Sequence, residues 1–265
     1  MTAPGWSGVY PATLTMFDRR GRLDTVATRE HVERLVRDGA HGIVVAGTSG
    51  EFISLDLAER LALIETVTQS VGGRLPVIAG TGTAATASTM ALTRDASAMG
   101  VSGVIVILPY YQRPSLPEVR AHLEAVGRSS AVPVMVYNNP ANSAAPALDA
   151  RDLASLYHAG HAQGVKSTFP TVHEVQDALA ATDDGFRVFY GSFMAPLEAL
   201  AGGAHGWISG ILNVVLPDAI IGWQWAVQEL GQEGAPIGRA PSELQDPPIR
   251  LTRIGEGLPH PEVDR

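Results

Sequence analysis

The sequence predicts an α/β protein with the architecture of a (β/α)8 TIM barrel. Short apolar runs bounded by Gly and Pro alternate with longer segments of helical spacing, which is typical of repeated βα units around a parallel sheet. Eight such units fit into about 230 residues, close to the usual length of this barrel. A doubly wound open sheet is the alternative. It is less favoured because no Gly-x-Gly-x-x-Gly turn follows the first strand, and residues 80–82 carry only a fragment of one.

The predicted strands are short, apolar and bounded by turn residues. They span residues 9–15, 42–46, 76–80, 103–108, 133–137, 162–166, 187–190 and 206–209. The predicted helices lie between and after them, at residues 29–38, 56–71, 84–99, 116–129, 150–157, 172–180, 195–201 and 218–230. In the second helix, the side chains of Leu57, Leu61, Ile64 and Val67 share one face, as packing on a barrel requires.

The chain divides into a barrel, residues 1–232, and a tail, residues 233–265. Prolines and glycines interrupt every potential helix of the tail, and apolar residues are sparse there. We therefore expect the tail to be irregular.

The composition excludes several classes of function. A net charge of -8 argues against a nucleic-acid partner, which would need a basic face. The chain has no cysteine, so it cannot form disulfides, thiolate metal sites or a cysteine nucleophile. It begins without a recognisable secretory signal, and no apolar run approaches the ~20 residues that cross a bilayer. These observations predict a soluble, acidic, cytoplasmic protein without a membrane partner.

Lys166 is the only lysine among 265 residues, while eighteen arginines carry the other basic charges. It ends the sixth predicted strand, and active sites of TIM barrels lie at the C-terminal ends of the strands. Burial disfavours the cationic form of a lysine, and a neutral amine is a nucleophile toward ketones. We interpret Lys166 as a catalytic residue. The alternative is that lysine is rare in this composition by drift and that a lysine remains at this position by chance.

Other strands also end in polar residues. Gly47, Thr48 and Ser49 belong to a turn whose hydroxyls and backbone amides suit a carboxylate, although an ordinary Ser/Thr turn would look the same. Tyr137 ends the neighbouring strand at the height of Lys166, so its phenol could move protons to and from a group bound to the lysine. Tyr111 follows the fourth strand and could equally cap the barrel or contact another subunit.

These residues predict a reaction that needs no cofactor. A neutral lysine attacks the ketone of a 2-oxo acid, and the resulting iminium draws electrons from the next carbon, where a C–C bond breaks or forms. His158 and His161 form an H-x-x-H pair without a nearby carboxylate, so we predict no metal site.

Together the motifs resemble the dihydrodipicolinate synthase/N-acetylneuraminate lyase family of pyruvate-dependent class I aldolases, over about residues 8–230. The matching motifs, in chain order, are GVYPA at residues 8–12, GTSGE at 47–51, PYY at 109–111, YNNP at 137–140 and GVK at 164–166. Their order and spacing make the match specific, whereas any one of them alone would be weak.

The resemblance implies roles for individual residues. Lys166 would be the Schiff-base lysine, Tyr137 the acid/base phenol, and Thr48 with Ser49 the carboxylate clamp. Tyr111 would join Thr48 and Tyr137 in a proton relay, reaching across from a neighbouring subunit. Ile208 matches a backbone position that lines the substrate pocket. The substrates would be pyruvate and an aldehyde, and the family works as dimers or tetramers, so we expect a homo-oligomer.

Departures from the family pattern bear on the aldehyde half of the substrate. Asn142 stands where dihydrodipicolinate synthases carry an arginine that binds the aldehyde's carboxylate, and residues 140–143 look more like the 4-hydroxy-2-oxoglutarate aldolase branch. The tail also replaces about three helices that the family carries after the barrel. Two alternatives remain open: a dehydratase of a sugar-derived 2-oxo acid, and a non-catalytic barrel that binds a metabolite.

Overall fold

The computed structural model describes residues 4–169 and 171–230, in which eight parallel strands form one barrel-shaped sheet. The strands are β1 (Gly8–Pro11), β2 (Ile43–Val45), β3 (Val77–Gly80), β4 (Gly103–Ile107), β5 (Val134–Asn138), β6 (Gly164–Ser167), β7 (Arg187–Tyr190) and β8 (Gly206–Ser209). From β2 to β8 each strand pairs with the next, and β8 pairs with β1. A bridge between Ala12 and Val44 brings β1 and β2 together. The prediction of a (β/α)8 TIM barrel is confirmed.

A helix follows each strand. The helices are α1 (Thr25–Arg37), α2 (Leu57–Val71), α3 (Thr86–Ala98), α4 (Leu116–Ser129), α5 (Ala150–His158), α6 (His173–Ala181), α7 (Pro196–Ala201) and α8 (Leu212–Leu230). Two short 3₁₀ helices, Thr48–Gly50 and Phe52–Ser54, lie between β2 and α2. The start of α2 is fixed by a capping box, in which the Glu59 amide donates to Asp56 and the Asp56 amide donates to Glu59.

The barrel interior is filled by aromatic rings that lie against glycines. Tyr10 and Phe189 are fully buried, and their rings meet edge to face with centroids 5.2 Å apart. A Cβ atom at Gly42 would come within 2.3 Å of the Tyr10 ring, and one at Gly206 within 2.4 Å of the Phe189 ring. Glycine is therefore required at both positions, because any side chain would occupy the space of an aromatic ring.

Two predicted boundaries near the N-terminus are wrong. The first strand ends at Pro11 rather than at residue 15, because after Pro11 the chain keeps only isolated contacts with its neighbours, the amides of Ala12 and Thr13 donating to Ser209 and Val44. The first helix begins at Thr25 rather than at residue 29. Its start is set by the carboxylate of Asp24, which accepts hydrogen bonds from the amides of Val26 and Ala27.

The last helix starts six residues before its predicted start at residue 218. The predicted start lies directly after Pro217, a residue that removes a hydrogen bond inside a helix. In the structure α8 begins at Leu212 and is interrupted at Val215, whose backbone angles of φ -109° and ψ 26° are not helical. This kink puts Pro217 in the first turn after the interruption, where its missing amide hydrogen has no helical partner to lose.

The predicted apolar face of α2 is only partly correct. Ile64 and Val67 are buried and Leu61 is partly buried, but Leu57, the first residue of the helix, is 61% exposed. Leu63 and Arg60 are buried on this helix instead. The buried Arg60 lines a cavity at the C-terminal end of the barrel.

The predicted tail, residues 233–265, lies outside the described residues. Within residues 4–169 and 171–230, no helix combines the length and the apolar character needed to span a bilayer.

Four partly buried histidines make stability depend on pH. Burial lowers the pKa of His31, His41, His122 and His205 below the value near 6.5 that histidine has in an unfolded chain. Between the folded and the unfolded pKa the unfolded chain binds more protons. The stability that neutral histidine contributes is therefore complete above about pH 6.5 and is lost as the pH falls through the folded pKa.

We predict that the free energy of unfolding, measured by urea titration, falls between pH 7.5 and pH 5. His122→Gln should make this fall shallower, because it removes one buried group that must take up a proton. His173→Gln should leave the slope unchanged, since His173 is exposed. A free energy that is constant over this range would contradict the prediction.

Candidate active site

Lys166 lies on β6 with its side chain inside the barrel. It is 7% exposed, and its strand register places it beside Tyr137 on β5 and Phe189 on β7. The amine nitrogen lies 3.8 Å from the centroid of the Tyr137 ring. None of the ion pairs in the described part of the chain involves Lys166. The single lysine is thus a sheltered amine in contact with the face of a tyrosine.

Gly191, directly after β7, makes room for the lysine side chain. A Cβ atom at this position would lie 2.9 Å from Cε of Lys166 and 2.9 Å from the carbonyl oxygen of Ser167. The Gly191 amide donates to that same carbonyl at 2.7 Å, so its backbone is held against β6. A larger residue would push the lysine away from Tyr137.

Tyr137 is 8% exposed, and its phenol oxygen accepts a hydrogen bond from Nδ2 of Asn139 at 2.8 Å. Asn139 is itself only 2% exposed. Its amide oxygen accepts a longer hydrogen bond, 3.4 Å, from the hydroxyl of Thr168. Tyr137, Asn139 and Thr168 therefore form a chain of hydrogen bonds that joins the end of β5 to the end of β6, beside Lys166.

The turn after β2 has an unusual backbone. Ala46 has φ +55° and Glu51 has φ +54°, a left-handed conformation that non-glycine residues seldom adopt. Between them, residues 48–50 form a 3₁₀ helix whose first amides, those of Thr48 and Ser49, have no partner within the helix. The side chain of Ser49 lies against Gly210, where a Cβ would come within 2.3 Å of its hydroxyl oxygen. The turn thus presents free amides and hydroxyls at the end of the barrel.

Thr48 and Tyr137 line the same small cavity. Its volume is about 20 Å³, close to that of one water molecule, and its other lining residues include Gly47, Arg60 and Gly80. A Cβ at Gly80 would lie 2.1 Å from the carbonyl oxygen of Ala46, so the turn packs directly on β3. The cavity therefore connects the predicted carboxylate clamp with the predicted proton donor.

Arg60 is a buried cation at this cavity. Its guanidinium donates to the carbonyl oxygens of Gly80 at 2.7 Å and Gly82 at 3.1 Å, and it lies 4.7 Å from the centroid of the Phe52 ring. Burial lowers the pKa of Arg60 to about 10, so the group stays charged at neutral pH. No carboxylate pairs with it in the described part of the chain. Arg60 thus contributes a positive charge next to Thr48.

The other predicted site residues lie elsewhere in this chain. Tyr111 is 90% exposed and has φ +73°, so a single chain does not bring it to the cavity. Asn142 is exposed in the loop after β5, where its backbone amide donates to the backbone carbonyl of Asn139. Ile208 is fully buried on β8 and is paired in register with Tyr10. No group of three or more metal-ligating side chains occurs among residues 4–169 and 171–230.

A larger cavity of about 260 Å³ lies beside this site. It is lined by residues that end β5 and β6, among them Asn138 and Ser167, and by residues of α5 and α6. Lys166 and Tyr137 do not line it. Lys166 lines neither of the two cavities, so its burial and its contact with Tyr137, and not a cavity volume, identify the candidate site.

Sequence reasoning missed Asn139 and Arg60. Asn139 could have been found, because a residue two positions after Tyr137 in an extended chain lies on the same side. Arg60 could not, because one arginine of a helix is indistinguishable in sequence from the exposed arginines around it.

Comparisons with known proteins agree on one family. The model of the dihydrodipicolinate synthetase family matches residues 5–221. The 4-hydroxy-tetrahydrodipicolinate synthase of Oceanobacillus iheyensis is 34% identical over 207 residues, which are 78% of this chain and 70% of the relative. A second such synthase, from Halalkalibacterium halodurans, is 35% identical over 79% of this chain and 72% of its own.

Solved structures give the same result. The dihydrodipicolinate synthase of Aquifex aeolicus superposes with a TM-score of 0.82 at 27% identity, covering 86% of this chain and 77% of the other. A prophage protein of the dihydrodipicolinic acid synthase family from E. coli, solved in complex with pyruvate, has a TM-score of 0.81 at 27% identity. That match covers 87% of this chain and 78% of the other.

We predict that Arg60→Met destabilises the protein. The substitution leaves the carbonyl oxygens of Gly80 and Gly82 without their donor, and an unpaired buried polar group costs about 1–3 kcal/mol. Arg94→Met, on an exposed position of α3, is the matched control and should change the free energy of unfolding by less than about 0.5 kcal/mol. Equal stability of the two variants would show that the Arg60 contacts contribute nothing.

Proposed function

The chain belongs to the dihydrodipicolinate synthetase family, and on this premise we propose that Lys166 is the amine that forms the Schiff base with pyruvate. Members of the family are pyruvate-dependent Schiff-base aldolases and lyases, and this chain is an enzyme of that class. The observation that carries the assignment is the position of Lys166, the only lysine in the chain, buried inside the barrel against Tyr137.

The reaction begins with an attack by the lysine nitrogen on the ketone carbon of pyruvate. Loss of one water molecule leaves an iminium, which withdraws electrons from the methyl carbon. In the cleavage direction the lysine forms the iminium with a 4-hydroxy-2-oxo acid instead of pyruvate. The 4-hydroxyl gives up its proton and becomes the carbonyl of the departing aldehyde as the C3–C4 bond breaks, and the electron pair of that bond remains as the enamine of pyruvate. In the opposite direction the pyruvate iminium loses a methyl proton to become the enamine, which attacks the carbonyl carbon of an aldehyde and forms the same bond while the aldehyde oxygen takes up a proton.

We assign proton transfer to Tyr137. Its ring contacts the lysine nitrogen, and Tyr137 is among the residues that line the cavity at the 48–50 turn. We assign the substrate's carboxylate to Thr48 and Ser49, whose amides and hydroxyls are neutral donors, and to Gly47, which immediately precedes them. The buried charge of Arg60 supports this choice because it makes the cavity favourable for an anion.

We further propose that the enzyme works in the cytoplasm as a homo-oligomer. Tyr111 supports the second point, because it is 90% exposed and held in a left-handed backbone conformation. A tyrosine in this position can complete the relay of Thr48 and Tyr137 only if it comes from a neighbouring subunit. The backbone at Ile208, at the end of β8, would line the substrate pocket.

The aldehyde half of the substrate is the open part of the proposal. Asn142 takes the place of the arginine that binds the aldehyde's carboxylate in dihydrodipicolinate synthases, so we propose a 4-hydroxy-2-oxo acid of the 4-hydroxy-2-oxoglutarate type. The relatives named as 4-hydroxy-tetrahydrodipicolinate synthases favour a second candidate, condensation of pyruvate with an aldehyde in the manner of those enzymes.

A screen of 4-hydroxy-2-oxo acids should show release of pyruvate, which a coupled assay measures. A synthase would instead consume pyruvate together with an aldehyde. A dehydratase would release water and a new 2-oxo acid without any pyruvate. If the folded protein binds 2-oxo acids and turns none of them over, it is a non-catalytic barrel and the proposal is wrong.

Exchange of the pyruvate methyl protons with D₂O tests the residues without knowledge of the aldehyde. The iminium releases a methyl proton to form the enamine and regains a deuteron, and NMR follows the loss of signal. Lys166→Arg should abolish exchange, because a guanidinium forms no iminium. Tyr137→Phe should slow it about 10²- to 10⁴-fold, the usual contribution of a positioned acid or base. Undiminished exchange in either variant would remove that residue from the mechanism.

A further inference from the structure

We propose that Asn139 is a positioning residue for Tyr137: its side-chain amide holds the phenol so that the phenol's own hydrogen points to the substrate. This inference rests on the proposed role of Tyr137 as the acid/base group and adds to it the residue that controls that group. The contact that carries it is the hydrogen bond from Nδ2 of Asn139 to the phenol oxygen, at 2.8 Å.

The backbone gives Asn139 one place to put its side chain. It follows the last residue of β5, two positions after Tyr137, so both side chains lie on the same side of the extended chain. Pro140 comes next, and the residue before a proline is restricted to an extended conformation. The amide of Thr168 donates to the carbonyl of Asn138 at 3.3 Å, which keeps the chain after β6 alongside the chain after β5.

The oxygen of the Asn139 side-chain amide is also held by a hydrogen bond. The Thr168 hydroxyl donates to the amide oxygen of Asn139 at 3.4 Å, which leaves the amide nitrogen facing the phenol. Thr168 follows Lys166 by two residues, so the contact links the strand of the tyrosine to the strand of the lysine. Asn139 is 2% exposed, and water therefore does not compete for these bonds.

The direction of the hydrogen bond has a chemical consequence. An amide nitrogen can only donate, so the phenol oxygen accepts from Asn139 and its own O–H remains free. The free O–H can turn toward the substrate atoms bound to the lysine nitrogen, which lies 3.8 Å from the centroid of the Tyr137 ring. When Tyr137 gives up its proton, the same amide stabilises the negative charge that develops on oxygen.

The neighbouring residue offers a matched control. Asn138 is equally buried, at 3% exposure, but its side chain lies on the other side of the strand. There it donates to the carbonyl of Leu148 at 2.9 Å and accepts from the Leu148 amide at 3.0 Å. The two asparagines thus differ in their partner, one bonding to the phenol of Tyr137 and the other to the backbone of a loop.

The test compares Asn139→Leu and Asn139→Asp with Asn138→Leu in the pyruvate methyl exchange reaction. We expect both Asn139 variants to slow exchange about 10- to 100-fold. The alkaline limb of the rate–pH profile should move to higher pH, because the phenolate loses a donor that stabilises it. Asn138→Leu should lower the melting temperature yet keep the exchange rate within about twofold and the limb in place. Asn139→Asp keeps the size of the side chain, so its exchange rate and its rate–pH profile test the inference if Asn139→Leu does not fold.

The double variant Tyr137→Phe/Asn139→Leu shows whether Asn139 acts through the tyrosine. We expect it to be no slower than Tyr137→Phe alone, because the group that Asn139 positions is already gone. Additive losses would overturn the inference, as would wild-type exchange and an unmoved alkaline limb in the Asn139 variants. Failure of the proposed function looks different, since Tyr137→Phe would then exchange at the wild-type rate.

Discussion

The structure depends on the register between β5 and β6, which sets Tyr137 directly beside Lys166. In parallel strands, residues paired at the same height point to the same side of the sheet, so both side chains enter the barrel. A slip of one residue would turn the lysine toward the surrounding helices, because the period of a strand is two. Backbone hydrogen bonds and the fully buried Val136 and Val165 fix this register. The pair proposed to be catalytic is therefore positioned by strand pairing and not by a flexible loop.

Backbone strain is concentrated at the same end of the barrel. In the described part of the chain, the residues other than glycine with positive φ are Ala46, Glu51 and Tyr111. Ala46 and Glu51 flank the proposed clamp after β2, whereas Tyr111 lies in the exposed segment after β4. Such conformations cost about 1–3 kcal/mol each and persist only where packing enforces them. Here Gly80 lies so close to Ala46 that no side chain would fit between them, which shows how tightly the turn is held.

The sequence was a good guide to the fold and to the residues whose chemistry is rare in the chain. Glycines and prolines delimit the strands, which made the barrel recognisable, and a lone lysine stands out against eighteen arginines. Boundaries set by single side-chain contacts, such as the Asp24 cap, were missed. The sequence also did not predict the burial of Arg60. The face of α2 that is buried depends on the curvature of the sheet beneath the helix. Asn139 could have been placed from strand alternation, but its partner could be known only from the structure.

The central claim is that one buried amine carries the chemistry, and reductive trapping tests it most directly. The protein is incubated with pyruvate, treated with borohydride, digested and examined by mass spectrometry. The account predicts one pyruvate-derived adduct, on the peptide that contains Lys166, and none when pyruvate is omitted. Folded protein that yields no adduct, or an adduct located only at the N-terminal amine, would contradict it.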